Sequence, residues 1–181
     1  MAEDLRNHLE DILKETKLER KGYLLKSGQV CENIYFIEKG LLRSFYVKNK
    51  KEISLRFMKE GEICVVYENF FNRRPGFEYI QAIEDTLTYY ITYQELENIY
   101  TQFVTFNVTA RILIERCQIF EKERLMAMWM QSAEDRYTWF AEKCPELMQR
   151  IPAKQIASYL GMTEVMCSNI KRRRDLPRQI N

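Results

Sequence analysis

The chain has 181 residues, of which 46% are hydrophobic and 30% are charged, with a formal net charge of +2. This composition is that of a soluble globular protein, and no apolar run approaches the roughly eighteen residues that a membrane helix needs. The five cysteines are scattered without a CxxC pair and the only histidine is His8, so we expect neither a metal centre nor a cofactor. The acidic, amphipathic N-terminal stretch is unlike a signal peptide, and we expect a cytoplasmic protein with reduced thiols and no membrane partner.

The first half of the chain predicts one helix followed by a β domain. Residues 3–17 have helical spacing, with apolar side chains on one face. From Gly22 to Ile91, short runs rich in Ile, Tyr, Phe and Val recur about every ten residues, and turn residues separate them. These turn pairs are Ser27-Gly28, Lys39-Gly40, Asn49-Lys50 and Glu60-Gly61. Strands with this spacing predict an antiparallel sandwich or barrel.

A long helix is predicted after the β domain. Thr92 and the residues after it have the form of a capping box and open a first, shorter helix. Residues 103–130 contain no Gly or Pro, and Ile112, Ile119 and Met126 recur every seven residues. A helix over this stretch would be about 42 Å long, too long for a domain of this size to cover. Either it runs across the β domain or it pairs with a copy of itself, and the heptad spacing favours a dimer seam.

The stretch from residue 153 to residue 172 has the spacing of a helix-turn-helix. Ala157 supplies the small residue where two helices cross, Gly161 follows four residues later at the turn, and Thr163 can cap the second helix. The apolar residues at the positions that would pack the two helices together are Ile156, Leu160, Met162, Cys167 and Ile170. Two amphipathic helices joined by a glycine turn are the plain alternative, but the conditions met together favour the DNA-binding motif.

The second helix of this motif and the basic end of the chain indicate a double-stranded DNA partner. The candidate base-reading residues are Glu164, Val165, Ser168 and Asn169, on the outward side. The candidate phosphate contacts are Thr163, Lys171, Arg172, Arg173 and Arg174. From Gln149 to the end, seven basic residues stand against two acidic ones, 7 − 2 = +5, on a body that is otherwise slightly acidic. Such an asymmetry favours a polyanion.

The segments 132–163 and 21–47 resemble the Crp/Fnr superfamily of cyclic-AMP receptor protein-like regulators, especially short members common in Bacteroidetes-type bacteria. Gly28 and Gly40 match turn glycines of the family's β-roll. The resemblance covers nearly the whole chain and implies a homodimer that acts on two-fold-symmetric DNA. It implies an α+β protein with a cyclic-nucleotide-binding-like β-roll (a double-stranded β-helix) at 1–102, a long dimerisation helix at 103–131 and a winged-helix-like helix-turn-helix domain at 132–181.

The chain departs from this family at the cyclic-nucleotide site. The family's ligand element is Gly-Glu-Leu followed by an Arg, and aligning the preceding turn puts Val65-Val66-Tyr67 on the first and Gly76-Phe77 near the second. We therefore expect no cyclic-AMP binding, and the β-roll is either a scaffold or the sensor of another small-molecule effector. The candidate effector pocket comprises Glu62, Tyr67, Arg73 and Arg74.

The reading helix departs as well. Related short members typically have Thr-Pro-Glu-Thr-Leu-Ser-Arg-Ile at the place of residues 163–170, so Val165 and Asn169 replace the usual Glu and Arg. Losing a bidentate Arg costs about 1–3 kcal/mol of base discrimination. A DNA-binding transcription regulator is the leading hypothesis; a ligand-sensing or protein-interaction module with a degenerate reading helix is the alternative. An enzyme is not expected, because no nucleophile–base pair, carboxylate pair or metal-ligand spacing occurs.

Overall fold

The fold is taken from a computed structural model that describes residues 3–175. Within this range the chain forms two compact units, residues 3–51 with 55–113 and residues 52–54 with 114–175. No helix in the described range is both long and apolar enough to cross a membrane. Arg178, which contributes to the basic end of the chain, and the end of the last predicted domain lie outside the described residues.

The β domain consists of two four-stranded sheets. In chain order the strands are β1 (Lys14–Leu18), β2 (Tyr23–Leu25), β3 (Asn33–Lys39), β4 (Leu42–Lys48), β5 (Lys51–Met58), β6 (Ile63–Cys64), β7 (Tyr79–Ala82) and β8 (Thr86–Thr92). One sheet has the order β1-β8-β3-β6 and the other β2-β7-β4-β5, with antiparallel pairs such as β3–β8 and β4–β7. The sequence prediction of an antiparallel β domain is therefore confirmed.

The strands form in runs rich in β-branched and aromatic residues, and the residues that face the core are buried. Ile37 and Ile80 are buried on β3 and β7, whereas Phe36 beside Ile37 is 40% exposed. All four predicted turn pairs contain left-handed backbone: at Gly28, Gly40, Gly61, Asn49 and Lys50. Gly40 has a further reason to be glycine, because a Cβ there would lie 2.7 Å from the Asp85 carbonyl oxygen.

Three helices accompany these strands, and the first one corrects the sequence prediction. They are α1 (Glu3–Ile12), α2 (Tyr67–Asn72) and α3 (Tyr93–Gln102). Residues 14–17, predicted as the end of α1, instead belong to β1, which pairs with β8 from Lys14 opposite Tyr90 to Leu18 opposite Thr86. Pairing with an available sheet edge outweighs a local helical pattern that lacks a strong apolar face beyond residue 13. The capping box is confirmed, since Thr92 Oγ1 accepts from the Glu95 N–H and the Glu95 carboxylate accepts from the Thr92 N–H.

The rest of the described chain is helical. The elements are α4 (Phe106–Met130), α5 (Ala133–Lys143), α6 (Leu147–Arg150), α7 (Ala153–Tyr159) and α8 (Glu164–Asp175). The long helix is thus confirmed but begins three residues later than predicted, because Phe103 caps α3 through its N–H to the Ile99 carbonyl. Its 25 residues extend about 38 Å, and Ala127 is the only buried one among them.

Candidate nucleic-acid interface

Helices α7 and α8 pack against each other through small and apolar residues at the spacing of a helix-turn-helix. Ala157, 2% exposed, lies in the middle of α7, and Leu160, 1% exposed, ends it. The remaining buried residues of the pair are Ile156, Tyr159, Cys167 and Ile170. Because these side chains occupy the interior, the opposite side of α8 is left to solvent.

The turn between the two helices is a Schellman motif. The Met162 N–H donates to the Ala157 carbonyl at 3.0 Å, and the Gly161 N–H donates to the Ser158 carbonyl at 3.4 Å. Gly161 has φ +62°, the left-handed conformation that this motif needs and that glycine adopts without strain. After the turn, Thr163 Oγ1 accepts from the Met166 N–H at 3.2 Å, which confirms the predicted cap of the second helix.

Arg136 on α5 holds the ends of two other helices. Its Nε donates to the Leu160 carbonyl at 2.8 Å and its Nη2 to the Gly161 carbonyl at 3.4 Å, at the end of α7. Its Nη1 donates to the Gln131 carbonyl at 2.8 Å, at the end of α4. The guanidinium thereby satisfies carbonyls that a helix terminus leaves without partners, and its charge is favourable there. Sequence reasoning missed this residue, because its partners are backbone atoms.

The exposed face of α8 gathers chemically different side chains. Val165 is 71% exposed, and Ser168, Asn169 and Arg172 follow it at three, four and seven residues, the spacing of one helix face. Glu164 is exposed at the start of this face. Arg172 Nη2 donates to Asn169 Oδ1 at 3.4 Å. The face therefore offers a methyl-bearing side chain, a hydroxyl, an amide and a guanidinium.

The four consecutive basic residues of α8 do not act as one group. Neighbouring side chains on a helix point about 100° apart, so a run of four surrounds the helix. Arg172 lies on the exposed face, whereas Lys171 and Arg173 lie on its two sides. Arg174 turns towards α5, where its Nη1 donates to Thr138 Oγ1 at 2.5 Å. Two of the four thus flank the exposed face, one belongs to it and one is bound to the scaffold.

Helix α4 carries apolar side chains that are open to solvent. The heptad residues Ile112, Ile119 and Met126 are 40%, 60% and 42% exposed, and Trp129 near the end of the helix is 73% exposed. In the second unit, a groove of about 450 Å³ runs along Ile119, Met126 and Trp139. Exposed apolar area of this extent on one helix is typical of a contact surface.

Three of the four candidate effector-pocket residues have other contacts within the β domain. The Glu62 carboxylate accepts from the Lys59 N–H at 3.3 Å in the turn before β6. Tyr67 stacks on Phe71. Arg73 has φ +53° at the end of α2 and donates to the Cys31 carbonyl at 3.3 Å.

The fourth residue, Arg74, lines a cavity of about 520 Å³ in the first unit. The cavity lies between β4, β5, α2 and the loop that follows α2. Glu62, Tyr67 and Arg73 are not among its lining residues, whereas Lys48, Asn69 and Phe77 are. Sequence reasoning missed these three, because the short helix α2 that helps to form the cavity was not predicted.

Comparison with known proteins agrees with this architecture. Residues 15–103 match the family model of the cyclic nucleotide-binding domain, whereas no curated protein sequence matches the chain significantly. FixK2 from Bradyrhizobium japonicum is similar with a TM-score of 0.79 at 14% identity, over 90% of this chain and 84% of that one. The c-di-GMP-responsive global regulator CLP from Xanthomonas campestris has a TM-score of 0.74 at 10% identity, over 95% and 91% of the two chains.

A third structure, described as a transcriptional regulator of the Crp/Fnr family from Eubacterium rectale, has a TM-score of 0.72 at 16% identity over 96% of this chain and 83% of that one. Likeness at such low identity establishes the fold. The predicted α+β architecture of β-roll, long helix and C-terminal helices is therefore confirmed.

Proposed function

We propose that this chain, which has the fold of the Crp/Fnr regulators, is a transcription regulator that binds double-stranded DNA as a homodimer. The observation that carries the proposal is the exposed face of α8, where Val165, Asn169 and Arg172 stand together on a helix whose other side is buried. A solvent-exposed valine on a rigid scaffold has no role in packing. In a major groove it would contact the methyl group of thymine.

The polar members of this face support direct base readout. An asparagine can bond adenine through two atoms, and an arginine can bond guanine in the same way. We therefore assign Arg172 to base reading together with Asn169 and Ser168, although the basic run by itself suggested a phosphate contact. Glu164, at the start of the face, is placed to accept from cytosine N4.

The phosphate contacts in this proposal are Lys171 and Arg173, one on each side of the reading face, with Thr163 at the helix N-terminus. A reading helix in the major groove is flanked by the two sugar–phosphate strands, so cations on both sides are suitably placed. Arg174, bound to Thr138, serves instead to attach α8 to α5.

Dimerisation through α4 is supported by the exposure of Ile112, Ile119 and Met126. Burying them against a second copy would remove apolar area from water and would present two reading helices to a two-fold-symmetric site. The domains proposed on this basis are a sensor at 1–102, a dimer helix at 103–131 and a reading domain at 132–181. Such a protein would act in the cytoplasm, and we propose that its β-roll does not bind cyclic AMP.

DNA selection from random or genomic fragments tests the leading function. We expect a palindromic site to be enriched, and its affinity to fall steeply with salt. Arg173→Ala is expected to lower the log–log salt slope by about 1.8, because each protomer of the dimer loses one phosphate contact, and to keep the selected sequence. Arg172→Ala is expected to relax one base position in each half-site, and Lys39→Ala on β3 is the control that should change neither. If the folded protein selects no sequence, the module with a degenerate reading helix replaces this proposal.

Sedimentation velocity tests the dimer. The wild type is expected to sediment as a dimer at micromolar concentration, and Ile119→Glu as a monomer, because a carboxylate in an apolar seam is costly to bury. Val104→Glu is a matched control, since Val104 is 71% exposed but lies outside α4. A monomeric wild type, or a dimer that Ile119→Glu leaves intact, would contradict the proposed seam.

A further inference from the structure

Helices α4 and α5 enclose the apolar groove of the second unit, and contacts between the two helices fix its walls. The rings of Phe120 on α4 and Trp139 on α5 lie against each other, with their centroids 5.6 Å apart. The Lys143 ammonium on α5 pairs with the Glu123 carboxylate on α4 at 2.9 Å. Both Trp139 and Glu123 line the groove. Because these contacts join the two helices, the groove is formed before anything binds in it.

Apolar side chains on α4 are exposed both inside this groove and beside it. Met130, which lines the groove together with Ile119 and Met126, is 76% exposed. Trp129 and Leu125 are exposed as well, but they do not line the groove. One copy of the chain therefore presents an apolar groove and, next to it, large apolar side chains that its own groove does not hold. Such surfaces are typical of protein contacts.

The heptad register of α4 indicates where these side chains would lie in a parallel pair of helices. Heptad positions are lettered a to g, and with Ile119 and Met126 at a, Trp129 is at d and Met130 at e. Each d side chain inserts between four residues of the facing helix, which for Trp129 include Met126 and Met130 of the second copy. Leu125, at g, faces the same Met130. Since Met126 and Met130 line the groove, the register directs Trp129 of one copy to the groove of the other.

The chemistry of the groove suits an indole ring. Trp139 provides an aromatic wall, and the thioethers of Met126 and Met130 make favourable contacts with aromatic rings. The side chain of Gln131, which also lines the groove, can accept from the indole N–H. Cavities of about 300–1,000 Å³ hold drug-sized molecules, so a groove of about 450 Å³ has room for one indole.

We propose that the groove between α4 and α5 receives Trp129 of a second copy of this chain, so that each copy gives one tryptophan and receives one. The proposal rests on the proposed homodimer and adds a contact that the α4 seam does not include. The dimer interface then extends to α5, which carries Arg136 and opens the reading domain. The partner chain thus helps to fix the position of each reading domain.

Acrylamide quenching of tryptophan fluorescence in the full chain tests the proposal. Trp129 and Trp139 are the only tryptophans, so Trp139→Phe reports on Trp129 alone. Trp129→Phe reports on Trp139 and keeps an aromatic ring that can enter the groove. Both variants are measured from nanomolar to micromolar concentration, with sedimentation velocity in parallel. Both quenching constants are expected to fall about two-fold or more as the dimer forms, because the contact covers both rings.

Shielding of Trp129 alone would indicate a dimer held only by the α4 seam, since Trp139 on α5 lies outside that seam. This result would overturn the groove contact and leave the proposed dimer standing. A dimer in which neither tryptophan is shielded, or a chain that stays monomeric, would overturn it too.

DNA selection separates this contact from the proposed function. If the chain selects a palindromic site but dimerisation does not shield Trp139, the groove contact fails and the function stands. If both tryptophans are shielded in a chain that selects no DNA, the function fails and the contact stands.

Two substitutions with matched controls measure the contact by sedimentation. Trp129→Ala should weaken the dimer about 100-fold or more, because truncating a buried interface tryptophan costs about ten-fold or more at each of the two sites. Its control is Phe77→Ala, which removes an exposed ring in the first unit. Met130→Asp should also weaken the dimer, because it places a charge in the apolar groove. Ile114→Asp, on another side of α4, should not. A dissociation constant equal to that of its control, for either groove variant, would contradict the proposal.

Discussion

Arg136 is expected to determine whether the reading domain keeps its geometry. Replacing it by methionine retains a long apolar stem and removes every donor to the carbonyls of Gln131, Leu160 and Gly161. Two of the three hydrogen bonds are 2.8 Å long and come from a charged group. Hydrogen bonds to charged groups contribute about 1.5–3 kcal/mol each, and because Arg136 is only half buried we take the lower value for these two. Arg136→Met should therefore destabilise the second unit by about 3 kcal/mol.

For a unit of this size, 1 kcal/mol corresponds to about 4–8 °C, so the unfolding temperature should fall by about 12–24 °C. Tryptophan fluorescence reports this transition selectively, because Trp129 and Trp139, the only tryptophans, both lie in the second unit. Arg136→Lys keeps the charge but loses the planar fork of donors, and it should fall between Met and wild type.

Lys154→Met is the matched control, since it removes an exposed cation from α7 and should change stability by less than about 0.5 kcal/mol. If Arg136→Met unfolded at the same temperature as this control, the assignment of a capping role to Arg136 would be refuted.

Two further predictions concern the β domain. Gly28→Ala and Gly40→Ala both place a Cβ at positive φ, at a cost of about 1–2 kcal/mol. The new Cβ at residue 40 also meets the backbone of Asp85, so Gly40→Ala should be clearly the more destabilising in urea unfolding followed by far-UV circular dichroism. Equal effects of the two substitutions would contradict the close approach at Gly40. Burial raises the pKa of Tyr35 from 10.0 to about 12, so the folded state holds this proton more tightly than the unfolded state does. The stability that protonated Tyr35 contributes is complete below about pH 10 and is lost as the pH rises towards 12. Tyr35→Phe should therefore reduce the alkaline loss of stability measured by pH-dependent melting. An identical pH profile in the variant would exclude Tyr35 as the cause of that loss.

The β domain was largely predictable because short stretches of sequence specify its strands and turns. Short runs rich in Ile, Tyr, Phe and Val identify the strands, and the turn pairs between them contain left-handed backbone. The exceptions are segments whose structure depends on distant partners. β1 is a strand because β8 offers it an edge, and the six aromatic-rich residues of α2 carry no helical period long enough to recognise.

The helix-turn-helix was predictable for a similar reason, since the small residue Ala157, the turn residue Gly161 and the apolar positions have fixed spacing. The roles of the basic residues were only partly accessible. That a run of four surrounds a helix follows from the helical repeat alone, whereas the hydrogen bond from Arg174 to Thr138 depends on how α5 packs against α8. The contacts of Arg136 could not be predicted from the sequence, because its acceptors are backbone carbonyls, which every residue has.

The turn of the reading domain is joined directly to the long helix. The side chain of Met128 on α4 occupies the space beside Gly161, and Arg136 binds the last turn of α4 and the last turn of α7 at once. Within the second unit, Met128 and Arg136 consequently hold α7 and α8 against the second half of α4. In the proposed dimer, one α4 could rotate by a few degrees relative to the other. Each reading helix would then move by that angle multiplied by its distance from the rotation axis. A change in DNA affinity of the proposed dimer would then come from the angle between the two copies of α4, while the fold of the reading domain stays constant.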